Sequence, residues 1–371
     1  MAPALPIEPK VSIVIPCRNE RHFIEPCLAS TLSQQIPDGS FEVIIADGQS
    51  TDGTRQILNR AAMQDPRILV LDNPGRIVSS GLNAAIRVAR GKFIVRMDAH
   101  TECAADYVLN CIRVIESTSA DNVGGPWSAK ANGLIAKAIA AGFQSSFAAG
   151  GARSHNLAYE GFVDTVYLGC WRKETFDKFG YFDEELVRNQ DDEHNLRIIR
   201  GGGKVYQSPK IKSWYKPRGS LAALFKQYMQ YGYWKVRVIQ KHKLPASWRH
   251  LVPGAFVPTL VVLSLLSAFS FLLSRFDAVG SPWSVVHSVS HFSFQVSAFS
   301  FLLMLSAYAL CVLFASLITA AKTEWKLFPV LPLVFPCYHF GYGFGFLRGV
   351  LDFAILRTGA TSAFTRLTRT P

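Results

Sequence analysis

Between Val11 and His100 four short apolar runs are separated by amphipathic stretches, and this alternation narrows the possible folds more than any other feature of the chain. The runs are Val11–Ile15, Phe41–Ala46, Ile68–Leu71 and the stretch from Phe93 that leads to Asp98. Helices are predicted to about Gln34, from Thr54 onward, and over Gly81–Ala89, where Gly91 supplies a stop. Strand and helix in alternation with short loops imply an α/β fold with a parallel sheet and right-handed crossovers. Ligands of such sheets collect beyond the carboxyl ends of the strands.

Three of the predicted strands deliver a carboxylate to that edge: Glu20 past the first, Asp47 after the second and Asp98 after the fourth. Like charges in a row repel unless cations or hydrogen-bond donors offset them, and ribose hydroxyls, a uracil N–H or a metal ion would do so. On an extended backbone residues i and i+2 point the same way, so Asp98 and His100 can reach one cation. A carboxylate with an imidazole suits Mn²⁺ or Mg²⁺ bound together with substrate phosphates. The plainer alternative leaves Asp98 serving the next turn.

Charge and hydropathy are unevenly spread. The net charge is +12, from 39 basic and 27 acidic residues, and no acidic residue occurs between Glu193 and Asp277. That segment carries a run of Lys and Arg with Trp214, Tyr215, Tyr228, Tyr231, Tyr233, Trp234 and Trp248 interleaved, just before long apolar stretches. Such a block marks the cytoplasmic side of a membrane and favours anionic lipid over nucleic acid. Leu251–Leu273 and Val296–Ala321 are long enough to span a bilayer. A third apolar segment, Leu327–Leu351, holds several prolines and glycines, so its topology stays open, and a basic tail with Arg366 and Arg369 follows. The seven cysteines include no Cys-x-x-Cys pair and read as reduced thiols. The opening residues Met1–Lys10 show no secretory pattern, so the first domain is expected in the cytoplasm.

The ordered motifs VSIVIPCRNE, IIADGQSTDGT and GLNAAIRVARGKFIVRMDAH resemble the family 2 glycosyltransferases, which have the Rossmann-like nucleotide-sugar-binding GT-A fold. In detail they are most similar to bacterial exopolysaccharide enzymes of the succinoglycan glucosyltransferase type, which extend a polyprenyl-diphosphate-linked sugar. The resemblance implies that Pro16, Glu20, Asp47 and Asp98 line the nucleotide pocket, with Gly81 and Asn83 near the ribose or diphosphate. It also implies that Asp98 and His100 replace the family's metal-binding Asp-x-Asp. The general base then falls on Asp191, with Asp192 as the alternative, in the cluster Gln190–Asp191–Asp192–Glu193, and Glu193 and Arg197 are supporting residues. A helix N-terminus would also accommodate three carboxylates through its dipole.

Residues 133–151 read as a packing helix or, alternatively, as a lid. Leu221–Lys235 reads as an amphipathic helix lying on the membrane. Lys216, Arg218, Lys235 and Arg237 are candidates for a lipid diphosphate or for plain anionic-lipid attraction. Gly169, Trp171, Asp192, Tyr231 and Trp234 are candidate acceptor residues. The Gln-x-x-Arg-Trp motif of processive synthases is replaced here by Gln227-Tyr-Met-Gln-Tyr-Gly-Tyr-Trp234. The expected organisation is a GT-A domain over 1–207, an interface region over 208–250 and a membrane region over 251–371. The expected activity is transfer of one sugar, with inversion, from a nucleotide donor such as a UDP-hexose to a polyprenyl-diphosphate-linked acceptor. A polymerising synthase and a non-catalytic membrane scaffold are the alternatives. The sugar, the linkage and the oligomeric state stay open.

Overall fold

The computed structural model describes residues 8–36, 40–245, 247–276 and 284–365. Residues 1–7 of the opening segment, and Arg366 and Arg369 of the basic tail, lie outside them. In chain order the strands are β1 (Val11–Cys17), β2 (Phe41–Asp47), β3 (Ile68–Asp72), β4 (Phe93–Arg96), β5 (Thr101–Cys103), β6 (Asn122–Gly125), β7 (Ser128–Ala129), β8 (Gly161–Phe162), β9 (Tyr167–Arg172), β10 (Val205–Gln207) and β11 (Ser213–Tyr215). The helices are α1 (Ile24–Leu32), α2 (Thr54–Gln64), α3 (Val78–Val88), α4 (Tyr107–Thr118), α5 (Leu134–Gln144), α6 (Ser146–Ala149), α7 (Glu174–Phe179), α8 (Gln190–Arg200), α9 (Leu221–His242), α10 (Val252–Phe276), α11 (Ser284–Lys322), α12 (Leu331–Gly349) and α13 (Ser362–Thr365).

The chain forms two units. The first runs to Asn132 and resumes over Gly151–Pro217; the second comprises Gly133–Gly150 and the chain from Arg218 on. Both boundaries differ from the expected ones, for local reasons. Strand β11 pairs antiparallel with β5 and parallel with β7, which keeps the chain in the first unit past residue 207. Helix α5 is apolar on most sides and packs within the second unit: Tyr338 donates its hydroxyl to the Ile139 carbonyl at 2.7 Å. Residues 133–150 are therefore a packing element of the second unit.

The first unit is built on an eight-stranded sheet of order β3-β2-β1-β4-β9-β6-β10-β8. Strands β1 to β4 are mutually parallel, and β9 runs antiparallel between β4 and β6. The strands alternate as a sheet covered on both faces requires. Val11, Ile13, Ile15, Val43, Ile45, Phe93 and Val95 pack on one face against Cys27 and Leu28 of α1 and Tyr107, Val108 and Ile112 of α4. Val14, Ile44 and Ile94 pack on the other against Leu82, Ala85 and Ile86 of α3, Phe176 of α7 and Ile198 of α8. Truncating one of these, such as Ile44→Ala, costs about 2–5 kcal/mol through lost contact and the cavity left behind. The result is a three-layer α/β fold whose parallel strands end together at one edge.

In the second unit α9 and α12 approach closely because glycine removes the side chain at the contact. A Cβ at Gly232 would meet the Tyr342 carbonyl oxygen at 2.0 Å, and one at Gly345 would meet that of Met229 at 1.9 Å. The glycines of the third apolar segment thus serve helix packing. Leu331, Val334, Phe335, Tyr338 and Tyr342 of α12 are buried. Among the described residues two helical stretches are long and apolar enough to cross a membrane, Trp248–Ser274 and Ser288–Lys322. The segment expected over 327–351 is not one of them.

Candidate active site

The loops after β1 and β2 clasp each other at the carboxyl edge. Asn19 sits at φ 54°, the left-handed region that asparagine tolerates; its amide N–H donates to Ser50 Oγ (2.9 Å) and its side-chain oxygen accepts from the Thr51 N–H (2.8 Å). The Glu20 N–H donates to Thr54 Oγ1 at 2.9 Å. Asp47 is buried at the end of β2, where it accepts from the Ser50 hydroxyl and pairs with Arg55 at 3.2 Å. Pro16 lies one position before the end of β1, in register with Ala46. Glu20 and Asp47 thus sit where two adjacent parallel strands end.

Strand β4 contributes a residue that sequence reasoning passed over. Arg96 is its last position, only 4% exposed. Its guanidinium donates to both oxygens of Asp98, from Nε at 2.8 Å and from an Nη at 3.2 Å. The remaining Nη donates to Asp191. A buried cation must be paired, and here the partners are the carboxylate expected to face the metal and the one expected to act as base. Two residues 93 positions apart are thereby held by one planar fork.

Asp191 stands in the first turn of α8, whose start is set by Asn189 at φ 61°. Its side chain is 34% exposed, the most open of the three. Burial pushes its carboxyl pKa up; the Arg96 guanidinium opposes this, and the nearby Asp98 and Asp192 charges reinforce it. Glu193 turns the other way and forms a two-point ion pair with Arg197, at 2.7 and 2.9 Å. Arg197 also donates to the carbonyls of Phe179 and Tyr181.

His100 follows β4 and places Nδ1 3.1 Å from Glu20 Oε1. No three His, Cys, Asp or Glu side chains converge on a cation site of their own among the described residues. Asp98 and His100 offer one oxygen and one nitrogen donor, which fits an ion that takes its remaining ligands from substrate phosphates and water.

Comparison with known proteins places this geometry. Residues 12–144 match the model for glycosyl transferase family 2. The chain is 35% identical over 251 residues to the succinoglycan biosynthesis protein ExoA of Rhizobium meliloti, covering 66% of this chain and 75% of that protein. The chain belongs to glycosyltransferase family 2. It is also 26% identical over 350 residues to a dolichyl N-acetyl-alpha-D-glucosaminyl phosphate glucuronosyltransferase of Methanococcus voltae, covering 92% of this chain and 97% of that one. Among solved structures, the mannosyltransferase PcManGT from Pyrobaculum calidifontis, in complex with GDP-Man and Mn²⁺, shares the fold with a TM-score of 0.52 at 18% identity, covering 92% of this chain and 89% of that one.

Several expected site residues of this family 2 enzyme have other partners. Asn83 donates to the Phe182 carbonyl and Glu184 and accepts from the Phe182 N–H, so its amide fixes the 182–184 segment. Gly81 is buried in α3, where a Cβ would meet the Asn73 side chain at 2.8 Å. Trp171, expected near the acceptor, lies in the core against Phe176, Phe182 and His194. It occupies the space beside Gly169, whose φ of +123° and 2.4 Å clearance to the Trp171 ring demand glycine. Lys216 lies over the Phe23 ring at 5.0 Å. In the second unit, Gln227 accepts from Arg218 at 3.2 Å and donates to the Tyr231 hydroxyl at 2.9 Å. Trp234 and Lys235, expected at a lipid surface, are 2% and 3% exposed, and the Trp234 indole donates to the Phe364 carbonyl. Both side chains are therefore buried and are not an exposed lipid-facing stripe.

Proposed function

We propose that this glycosyltransferase moves a single sugar, with inversion, from a nucleotide-sugar donor of the UDP-hexose class to a polyprenyl-diphosphate-linked acceptor at the cytoplasmic face of the cell membrane. The observation that carries the reading is the Arg96 fork, which ties the donor-side carboxylate Asp98 to the base candidate Asp191. Asp191 lies within reach of the same guanidinium that orients the metal-side carboxylate, so donor and acceptor chemistry share one frame. The acceptor hydroxyl attacks the anomeric carbon as the bond to the diphosphate breaks, and Asp191 takes the hydroxyl proton. One base at one face implies a single displacement and inverted configuration. A divalent cation held by Asp98 and His100 would supply charge neutralisation at the leaving diphosphate. Asp47, buried and anchored, is offered for the nucleoside, with Pro16 beside it.

The membrane part of the reading is supported by the outer surfaces of α10 and α11. Leu265, Leu266, Phe269 and Leu272 on α10, and Phe292, Phe299, Leu302, Leu303, Leu310 and Phe314 on α11, are all more than half or half exposed. Large apolar side chains displayed in this number suit hydrocarbon, not water. The relatives in succinoglycan and dolichyl-linked sugar synthesis support a lipid-linked acceptor.

The test is donor turnover by the detergent-purified full chain across a panel of nucleotide sugars, with Mn²⁺, Mg²⁺ or EDTA, with and without a polyprenyl-diphosphate-linked sugar. The expected result is metal-dependent release of one nucleoside diphosphate, accelerated by the lipid acceptor. Release that ignores the acceptor and yields free sugar with every donor would overturn the transferase reading.

A further inference from the structure

Among the described residues His100 has one hydrogen-bond partner, and it is Glu20. The two lie 80 positions apart and are 20% and 12% exposed, so the contact is not a chance encounter of surface chains. Both backbones are fixed. Glu20 is held by Thr54 through its N–H, and its carbonyl accepts from the N–H groups of Phe23 and Ile24 as α1 begins. His100 is followed at once by β5, where the Thr101 N–H donates to the Asp98 carbonyl at 2.9 Å and the Thr101 hydroxyl pairs with that of Tyr167 at 2.8 Å.

An ionised carboxylate can only accept. In the neutral imidazole this contact places the proton on Nδ1 and the lone pair on Nε2, and Nε2 has no protein hydrogen-bond partner among the described residues. A histidine that binds a metal needs this arrangement: one nitrogen bare, the other donating to an acceptor that fixes the ring and makes the bare nitrogen more basic. We propose that Glu20 is the positioning residue of His100, holding the imidazole by Nδ1 so that Nε2 is the nitrogen that coordinates the divalent cation. The inference rests on reading Asp98 and His100 as the cation's protein ligands. It gives Glu20 a role distinct from the nucleotide contact expected of it.

The experiment measures Mn²⁺ binding directly, by electron paramagnetic resonance of free Mn²⁺, on the detergent-purified full chain in the presence of UDP. Variants Glu20→Leu, Glu20→Gln and His100→Ala are compared with the parent. Glu20→Leu is expected to weaken Mn²⁺ binding about 10–100-fold, the range for loss of an outer carboxylate. Glu20→Gln is expected to lose less, because its amide oxygen still accepts from Nδ1. UDP binding in EDTA is measured on all four proteins, so that a loss of Mn²⁺ affinity is read separately from any loss of nucleotide affinity. Echo modulation from a directly coordinated imidazole nitrogen should be present in the parent and absent in His100→Ala. Parent-like Mn²⁺ affinity in Glu20→Leu, with His100→Ala weakened, overturns the role of Glu20 alone. Parent-like affinity in His100→Ala overturns the underlying ligand assignment as well. Should Glu20→Leu not fold, Glu20→Ala is read in its place: a loss in Mn²⁺ affinity larger than that of Glu20→Gln supports the proposal, and parent-like affinity sinks it.

Discussion

Two arginine–carboxylate contacts sit on one helix and do different things. At the first turn of α8, Asp191 meets Arg96 with a third of its side chain open. Two residues on, Glu193 meets Arg197 with 4% of its side chain open, and the arginine is further tied to two backbone carbonyls. The closed pair engages four of the five guanidinium N–H donors inside the protein and ties α8 to the 179–181 segment. The open pair keeps a carboxylate at the edge where the parallel strands end. Two carboxylates of one acidic run thus have different surroundings, Asp191 part-open and Glu193 closed.

The comparison breaks most sharply at Asp191. Asp191→Asn is expected to lower kcat by about 10²–10⁴, the usual contribution of a general base, with the melting profile retained. A kcat within a few-fold of the parent, measured as nucleoside diphosphate release with acceptor present, would remove Asp191 from the mechanism. The two arginines come next. Arg197→Met leaves Glu193 buried without its partner and should cost about 3–5 kcal/mol of stability, while turnover per folded molecule holds. Arg96→Met should lower both stability and kcat, because its two carboxylates face each other without the cation. Equal behaviour of the two variants in unfolding and turnover assays would erase the distinction drawn here.

A smaller effect comes from His194, one turn along the same helix. It is enclosed by Phe176, Phe182 and Trp171, and burial pushes its pKa down to about 3, with the Arg197 charge acting in the same direction. The folded protein therefore keeps His194 neutral where the unfolded chain would protonate near pH 6.5. Its contribution is complete above pH 6.5 and is lost as pH falls toward 3. At pH 5 the loss from this group amounts to about 2 kcal/mol, from 1.36 kcal/mol per pH unit. His194→Gln should flatten that part of the stability profile, as read by thermal unfolding from pH 7 to pH 5. The smallest change is expected for Asp192→Asn. A part-exposed carboxylate one residue from the base should alter kcat by no more than about fivefold, the equivalent of 1 kcal/mol. A larger loss than for Asp191→Asn would exchange the two roles.

Much of the site was legible because it follows from strand ends. Asp47 and Asp98 are visible as carboxylates that terminate apolar runs, and parallel pairing brings such ends to one edge whatever the details of packing. Arg96 also left a signal, a lone charge closing the run Phe93-Ile94-Val95, but its two partners lie on different elements and only the folded chain joins them. The aromatic and basic residues of 214–235 misled for the opposite reason. Composition shows that Trp234 and Lys235 are amphipathic, not which way α9 turns them; both are buried, Trp234 against Phe353 and the Phe364 carbonyl, residues more than a hundred positions away. Trp171, a candidate acceptor residue in the sequence, likewise fills the space beside Gly169 in the core.

The sequence by itself determined the alternation of buried strands and helices, the edge at which the carboxylates gather and the apolar character of the last third of the chain. These depend on local pattern, which each residue carries with it. Only the tertiary structure decided that Asp98 and Asp191 share one guanidinium, that Glu20 stands behind His100, and that residues 133–150 pack within the second unit. Each of those is a contact between side chains or segments far apart in sequence, and no periodicity records such a pairing until the chain has folded.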